Sequence, residues 1–362
     1  MDKIEKFREL NRDYLTFYHE IRTPEHEFFI GEGNHDDSTR ILMLSSPSRM
    51  GNHLLLSMLD GHPQLPRIPG EDGFLSFSFY QANYDLHNYL AKLCSPDAVE
   101  YMKLLSTNLF FDKWLNMERC WREGVVPEGC SGVRIKERPA GIDYQGTVVN
   151  VNYGEYSRVL TKGAAKMQRD SFREYLNLYL KALLHLDPER AARKGALDGY
   201  ISYSGMRGQV RWVLQHYSRA RLITSLRPFD SYAVSHIKSR YQNADMTQEL
   251  LREAWEHWYH KVIDYLYLKS AFPDRVCLVS FDDLVANTEA AARAVCRFLG
   301  VGYDPCMLVP TLFGCPVKGN SARPQDDKMR GRIYSDRRRL EKNRIPEDGH
   351  NLWKAFEAIK SI

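Results

Sequence analysis

The stretch Arg40-Ile-Leu-Met-Leu-Ser-Ser-Pro-Ser-Arg-Met-Gly-Asn-His-Leu-Leu-Leu-Ser-Met-Leu59 decides the fold of this chain. Its first part, Arg40–Ser45, is a short apolar run without strict alternation, which is typical of a buried parallel strand. A loop follows, and from about His53 to Leu59 the apolar residues recur with the period of a helix. Strand, loop and helix in this order form the first half of a βαβ unit.

Two further apolar runs repeat this pattern later in the chain. Arg221–Leu226 follows a helix-like segment at residues 209–217, and Val276–Ser280 follows the amphipathic stretch Gln248–Leu268. Parallel neighbouring strands need long crossover connections, so strands that alternate with helices predict a mostly parallel sheet. We therefore predict an α/β domain with helices flanking the sheet.

The middle and the two ends of the chain depart from this rhythm. Residues 74–197 carry aromatic-rich helical patterns and predict a largely helical insertion, with a loop or small hairpin near 147–151. Residues 1–22 predict an amphipathic helix. The segment 318–344 holds ten basic and four acidic residues with few apolar ones, which predicts a surface loop and short helix. We expect the whole chain, 1–362, to form a single domain.

Composition excludes several classes of protein. An apolar content of 43%, a charged content of 27% and a formal net charge of +4 are ordinary for a globular enzyme and do not indicate nucleic-acid binding. Seven scattered cysteines without a Cys-x-x-Cys pair indicate neither a disulfide framework nor a zinc site. No apolar run is long enough for a membrane span and the first residues do not resemble a secretory signal, so we expect a cytoplasmic protein.

The loop between the first strand and its helix is a candidate anion site. Backbone N–H groups and the positive end of a helix dipole meet at such a junction. Gly51 allows a close approach, Arg49 adds positive charge, and Asn52 and His53 add donors. The loop is not a Walker A sequence, since Gly-x-x-x-x-Gly-Lys-Ser/Thr is absent. A plain strand-to-helix turn is the alternative interpretation.

Together with Leu59-Asp-Gly-His-Pro63, this loop resembles the 5′-phosphosulfate loop of sulfotransferases that use 3′-phosphoadenosine 5′-phosphosulfate (PAPS). The stretch Leu226-Arg-Pro-Phe-Asp-Ser-Tyr-Ala-Val-Ser-His236 resembles the second signature of that family, in which an Arg and a Ser eight residues later bind the 3′-phosphate. Arg227 and Ser235 have this spacing. The usual Arg-Asp/Asn-Pro of the family is Arg-Pro here, so the resemblance leaves the local geometry of this loop open.

Two later stretches extend the resemblance. Val279–Thr288 and Phe298–Tyr303 are similar to structural blocks of the family, and Pro316–Ser321 resembles its C-terminal Gly-Asn-Ser segment, a flap over the donor. Residues 318–345 would then form a basic C-terminal flap and tail. The four blocks occur in the family's order and span about 280 residues of the chain.

The resemblance implies a three-layer, P-loop-NTPase-like α/β fold and transfer of the sulfuryl group of PAPS, with 3′-phosphoadenosine 5′-phosphate (PAP) as product and no metal. We expect a small-molecule or carbohydrate acceptor, with its pocket formed by residues 74–197, whose aromatic side chains suit stacking on such a ligand; aromatic residues at helical spacing also fit a core. The donor-binding residues that the resemblance implies are Ser48, Arg49, Met50, Gly51, Asn52, His53, Leu54, Arg227, Ser235, Lys318, Gly319 and Asn320.

Catalysis requires a group that neutralises the leaving phosphate and a base for the acceptor. Arg49 is the candidate for the first task, because a guanidinium stays charged. Glu71 occupies a position that resembles the catalytic Glu of carbohydrate-acting members, although Gly70-Glu-Asp-Gly73 also fits a solvated turn. Asp72, His53 and His62 are the other candidate bases.

Two other functions remain open at the level of sequence. One is a small-molecule kinase on the same scaffold, against which the missing Walker Lys-Ser/Thr pair argues. The other is a non-catalytic nucleotide-binding scaffold, which Asn52 and His53 in place of a Thr-Thr pair leave possible. Acceptor identity and oligomeric state are not encoded in any motif.

Overall fold

The computed structural model describes about half of the chain. The described residues are 38–46, 49–66, 131–134, 148–151, 199–204, 207–241, 246–312, 314–316, 339–341 and 344–361, with residue 333 and isolated positions between 155 and 185. The predicted helix at 1–22 lies outside them, as do most of the tail at 318–345 and most of the insertion at 74–197.

The strands, in chain order, are β1 Ile41–Ser46, β2 Ser131–Arg134, β3 Val148–Val151, β4 Gly199–Ser204, β5 Arg221–Leu226, β6 Val276–Ser280, β7 Thr311–Leu312 and β8 Cys315–Pro316. The helices with defined bounds are α1 Asn52–Asp60, α2 Arg207–His216, α3 Phe229–Arg240, α4 Gln248–Ala271, α5 Phe281–Ala286, α6 Thr288–Leu299 and α7 Glu347–Ile359. A 3₁₀ helix spans Pro305–Leu308.

A four-stranded parallel sheet forms the centre of the fold, in the order β4-β1-β5-β6. In the register of β1, Leu42 pairs with Tyr200 on one side and with Arg221 on the other. This sheet confirms the α/β class, and β1, β5 and β6 lie where the apolar runs predict them. All five residues of β6 are buried, as expected for a strand covered on both faces.

The strand β4 is an element that the sequence analysis missed. Its residues, Gly-Tyr-Ile-Ser-Tyr-Ser, mix small and large side chains rather than forming an apolar run. The β-propensity of Tyr and Ile was available as a signal. No local sequence feature shows that this segment belongs to the central sheet. Its position there results from pairing with β1, more than 150 residues earlier in the chain.

Helices cover both faces of this sheet. From β1 to β4 the chain moves across the sheet in one direction. From β4 to β5, and from β5 to β6, it moves in the opposite direction. Since parallel crossovers are right-handed, α1 lies on one face, and α2, α3 and α4 lie on the other. Further packing follows this division: α1 and α6 both contact the 3₁₀ helix, and α7 packs against α4. The result is the predicted three-layer arrangement.

The segment predicted as an insertion contains an antiparallel pair, β2 with β3, in which Val133 faces Val149 in the register. The strand β3 lies where the sequence predicts a loop or small hairpin. Helical residues recur among the described positions between 155 and 185. Across the parts of the chain that the structure describes, no helix combines the length and apolar character that crossing a bilayer requires.

Candidate functional site

The carboxyl ends of β1, β5 and β6 bring three segments together at one edge of the sheet. The loop that contains Arg49 follows β1, Arg227 directly follows β5, and Phe281 directly follows β6. Ligands of open α/β sheets bind beyond this edge, because strand ends and helix N-termini converge there. The candidate site is therefore built from residues that are more than 230 positions apart in sequence.

The loop after β1 has two left-handed residues next to the N-terminus of a helix. Arg49 has φ 71° and Gly51 has φ 104°, so both are in the left-handed region. Helix α1 begins at Asn52, and the first N–H groups of a helix have no intrahelical acceptor. Left-handed residues next to such N–H groups turn successive donors toward one point. The loop can hold an anion at the positive end of α1.

Gly51 is held in this conformation by close packing. A Cβ at this position would overlap the ring of Phe281 and lie 2.9 Å from Ser225 Oγ. The Ser225 hydroxyl donates a hydrogen bond to the Met50 carbonyl at 2.7 Å. The loop is therefore fixed on one side by β5 and on the other by the first residue of α5.

The side chains of the loop divide into structural and polar ones. The side chains of Met50 and Leu54 are fully buried in the core. Asn52 is only 4% exposed, and among the described residues neither its amide nitrogen nor its amide oxygen has a hydrogen-bond partner. A buried amide without partners is costly, which points to a polar ligand that completes it.

Arg227 is positioned by three different elements. Its backbone N–H contacts the Met50 sulfur at 3.3 Å, and its carbonyl accepts a hydrogen bond from Trp258 Nε1 on α4 at 2.7 Å. Its guanidinium carbon lies 3.5 Å from the centroid of the Phe281 ring, a cation–π stack. A charged, planar donor held at a strand end is suited to bind phosphate.

The Arg-Pro sequence is compatible with this geometry. Pro228 has φ −62° and ψ 151° and stands immediately before α3, where its missing N–H costs nothing. Tyr232 N–H donates to the Pro228 carbonyl at 3.0 Å and closes the first turn. The helix therefore starts at Phe229, two residues after Arg227, and carries Ser235 on its second turn.

Arg49 and Ser235 meet in the structure. Arg49 Nε donates a hydrogen bond to Ser235 Oγ at 3.3 Å, although the two residues are 186 positions apart. This contact brings the loop after β1 to the helix that follows Arg227. Of the predicted site residues, Arg49, Gly51, Asn52, Arg227 and Ser235 thus belong to one local arrangement.

His62 is buried and has a structural role, because both of its ring nitrogens form hydrogen bonds within the fold. Gln64 N–H donates to its Nδ1 at 3.2 Å, so the ring proton is on Nε2, which donates to the Gly302 carbonyl at 2.7 Å. Gly302 N–H in turn donates to Gln64 Oε1 at 2.9 Å. With 0% exposure and both ring nitrogens engaged, His62 joins α1 to the segment after α6 and is not placed to take a proton from a substrate.

Several predicted site residues lie outside the described residues: Ser48, Glu71, Asp72, Lys318, Gly319 and Asn320, together with the side chain of His53. Conversely, Ser225 and Phe281 shape the site and were not predicted. Phe281 belongs to a block that the resemblance marks only as structural. Among the described residues, no group of three or more His, Cys, Asp or Glu side chains could hold a metal ion.

One family model matches part of the chain. Residues 152–305 match the model described as "Sulfotransferase family". No curated protein sequence matches the chain. The matched residues include Arg227, Ser235 and Phe281 but not the loop after β1.

Three solved structures illustrate the structural similarities. The sulfotransferase domain of the Synechococcus PCC 7002 olefin synthase is 19% identical, with 76% of this chain and 78% of that chain covered and a TM-score of 0.41. The sulfotransferase domain from the curacin biosynthetic pathway is 15% identical, with 89% and 99% covered and a TM-score of 0.44. A sulfotransferase from Mycobacterium tuberculosis H37Rv is 9% identical, with 78% and 72% covered and a TM-score of 0.36.

Proposed function

We propose that this chain, whose residues 152–305 match the model of the sulfotransferase family, transfers the sulfuryl group of PAPS to a hydroxyl or amine of a small-molecule or carbohydrate acceptor. The observation that carries the proposal is the hydrogen bond from Arg49 Nε to Ser235 Oγ at 3.3 Å. It joins the loop after β1, which lies outside the matched residues, to the helix that lies within them. Because these two groups suited to anions are adjacent, both can contact the same ligand.

The chemistry of PAPS fits these groups. PAPS carries a phosphosulfate on its 5′ side and a separate phosphate on its 3′ side, so a protein that binds it needs two anion sites. The loop from Arg49 to Asn52 supplies backbone donors at a helix N-terminus, and Arg227 with Ser235 supplies a charged fork and a hydroxyl. The buried amide of Asn52, which has no hydrogen-bond partner among the described residues, would be completed by a phosphate oxygen and a second polar atom.

The proposed reaction is an in-line displacement at sulfur. The acceptor oxygen or nitrogen forms a bond to sulfur while the bond from sulfur to the bridging phosphate oxygen breaks, which releases PAP. Negative charge builds on that bridging oxygen, and Arg49 lies on the loop that would surround it. Since a guanidinium does not lose its proton at neutral pH, Arg49 neutralises the leaving group and does not protonate it.

The proton of the acceptor goes to a base, for which we propose Glu71, with His53 and Asp72 as the alternatives. Glu71→Gln should lower turnover by about 100-fold or more, the usual contribution of a general base, while the affinity for PAP stays unchanged. In the wild type, the rate should fall on the acidic side of the pH profile, and Glu71→Gln should lack this dependence. Asp72→Asn is the matched control, and full turnover by Glu71→Gln would exclude Glu71.

Donor identity is tested by thermal shift with and without nucleotides. We expect PAP to raise the melting temperature, because a ligand that binds only the folded state stabilises it, and ATP with Mg²⁺ to have no effect. Stabilisation by ATP with Mg²⁺ but not by PAP would contradict the proposal and favour a kinase. Transfer of label from PAPS to an acceptor panel then tests catalysis, and PAP binding without transfer would indicate a nucleotide-binding scaffold.

The remaining parts of the chain have proposed roles in the same reaction. We propose that residues 1–362 form a single domain in the cytoplasm, that residues 74–197 form the acceptor pocket, and that residues 318–345 form a flap and tail in which Lys318, Gly319 and Asn320 contact the donor. Deletion of 318–321 should weaken PAP binding without unfolding the sheet.

A further inference from the structure

Arg339, in the basic C-terminal segment, binds two carboxylates on different helices. Its Nη1 donates to the Asp230 oxygens at 3.1 and 3.0 Å, and its Nη2 donates to Asp282 Oδ2 at 2.6 Å. Leu340 N–H also donates to the Asp230 carbonyl at 3.4 Å. A guanidinium that bridges two carboxylates in this way holds both at a fixed separation, because its donors form a rigid planar fork.

The two carboxylates lie beside the residues of the candidate anion site. Asp230 is in the first turn of α3, three residues after Arg227, and this helix carries Ser235. Asp282 is in the first turn of α5, next to Phe281, on which the Arg227 guanidinium stacks at 3.5 Å. The Arg339 bridge therefore ties the helix of Ser235 to the helix of Phe281.

A second C-terminal contact holds only one of these helices. Lys360 Nζ donates to Asp283 Oδ2 at 2.5 Å and pairs with Glu357 at 2.7 Å. Ser361 N–H donates to the Leu278 carbonyl at 2.9 Å and extends this attachment along β6. These bonds fix α5 and β6 to the end of α7 and the residues that follow it, and none of them involves α3.

We propose that Arg339 is a positioning residue for the 3′-phosphate end of PAPS: by bridging Asp230 and Asp282, it holds Ser235 and the Phe281-supported Arg227 at the separation that receives the phosphate. This inference rests on the proposed function and deepens it. Arg339 does not touch the ligand in this role. It acts through the two helices whose first turns it joins.

A different effect of Arg339, attraction of an anionic ligand by its charge alone, predicts the opposite result at Asp282. If only charge mattered, Arg339→Gln would weaken PAP binding, and Asp282→Asn, which removes a negative charge near the phosphate, would strengthen it. If the bridge matters, both substitutions weaken binding because both break the same link. The sign of the Asp282→Asn effect therefore separates the two.

The experiment measures the dissociation constant of PAP by calorimetry for the full-length wild type, Arg339→Gln, Asp282→Asn and the double variant. For a pair 42% and 36% exposed, we expect about a 5-fold weakening in each single variant. The double variant should bind PAP no more weakly than Arg339→Gln, because Arg339→Gln alone already removes the contact with Asp282. Arg339→Lys keeps the charge without the fork and should also weaken binding.

The matched control is Arg293→Gln. Arg293 is 50% exposed and pairs with Glu289 on α6 at 2.7 Å, away from the site, so its loss should leave PAP binding unchanged. Unchanged affinity in Arg339→Gln, or tighter binding in Asp282→Asn, would overturn the inference while the proposed function stands. Absence of PAP binding by the wild type would instead overturn the proposed function and the inference with it.

Discussion

Replacing Arg227 by alanine is expected to abolish the stabilisation of the protein by PAP. The guanidinium is the charged fork proposed for the 3′-phosphate, and loss of two charge-assisted hydrogen bonds should weaken binding by about 100-fold or more. The folded protein loses the stack on Phe281 at 3.5 Å, which should lower the free energy of unfolding by only about 1 kcal/mol. Thermal shift and calorimetry with PAP measure the first effect, and urea unfolding measures the second.

Arg221→Ala provides the control at the other end of the same strand. Arg221 is the first residue of β5 and also contacts a phenylalanine, with its guanidinium 5.6 Å from the Phe298 ring centroid and a hydrogen bond to the Phe298 carbonyl. Its loss should lower stability by a similar amount, about 1 kcal/mol, but leave PAP binding intact. Equal loss of binding in both variants would show that Arg227 acts through the stability of β5 rather than on the ligand.

Gly51→Ala is expected to have the largest effect on the fold near the site. An alanine at φ 104° is strained, and its Cβ would overlap the Phe281 ring and lie 2.9 Å from Ser225 Oγ. The strain and the forced displacement together should lower the free energy of unfolding by about 3 kcal/mol. Since Phe281 also supports Arg227, PAP binding should be lost. Urea unfolding and calorimetry test both parts.

Gly300→Ala separates backbone strain from overlap. Gly300 also has a positive φ, 73°, but the nearest atom to an added Cβ is Arg221 Nη1 at 3.8 Å, an ordinary contact. The strain of the left-handed conformation should lower the free energy of unfolding of this variant by about 1 kcal/mol, and the variant should bind PAP normally. A Gly51→Ala protein as stable as Gly300→Ala would contradict the packing described around Gly51.

The sequence predicted most of the central sheet because local patterns encode it. The apolar runs at β1, β5 and β6 and the helical period of α4 arise from neighbouring residues, so each is visible without the rest of the fold. The strand β4 is different. Its mixture of small and large residues is also compatible with an exposed strand or a loop, and pairing with β1 is what makes it part of the sheet.

The candidate site also combines features that local sequence encodes with features that depend on distant contacts. Arg49, Gly51, Arg227 and Ser235 could be named from the sequence, because they lie in short, ordered segments that resemble sulfotransferase motifs. That they converge could be expected from the rule for strand ends in parallel sheets. The bond between Arg49 and Ser235, by contrast, depends on how α3 leaves β5.

By itself, then, the sequence determined the α/β class, the order of the β1, β5 and β6 units, and the residue types available for binding an anion. Only the tertiary structure decided which residues support the anion-binding ones. Phe281 packs against Gly51 and Arg227, and Ser225 donates a hydrogen bond to Met50. Arg339 bridges Asp230 and Asp282. The physical reason is that propensity and periodicity act over neighbouring positions. Contacts between residues 50 to 230 positions apart arise only when the strand ends come together.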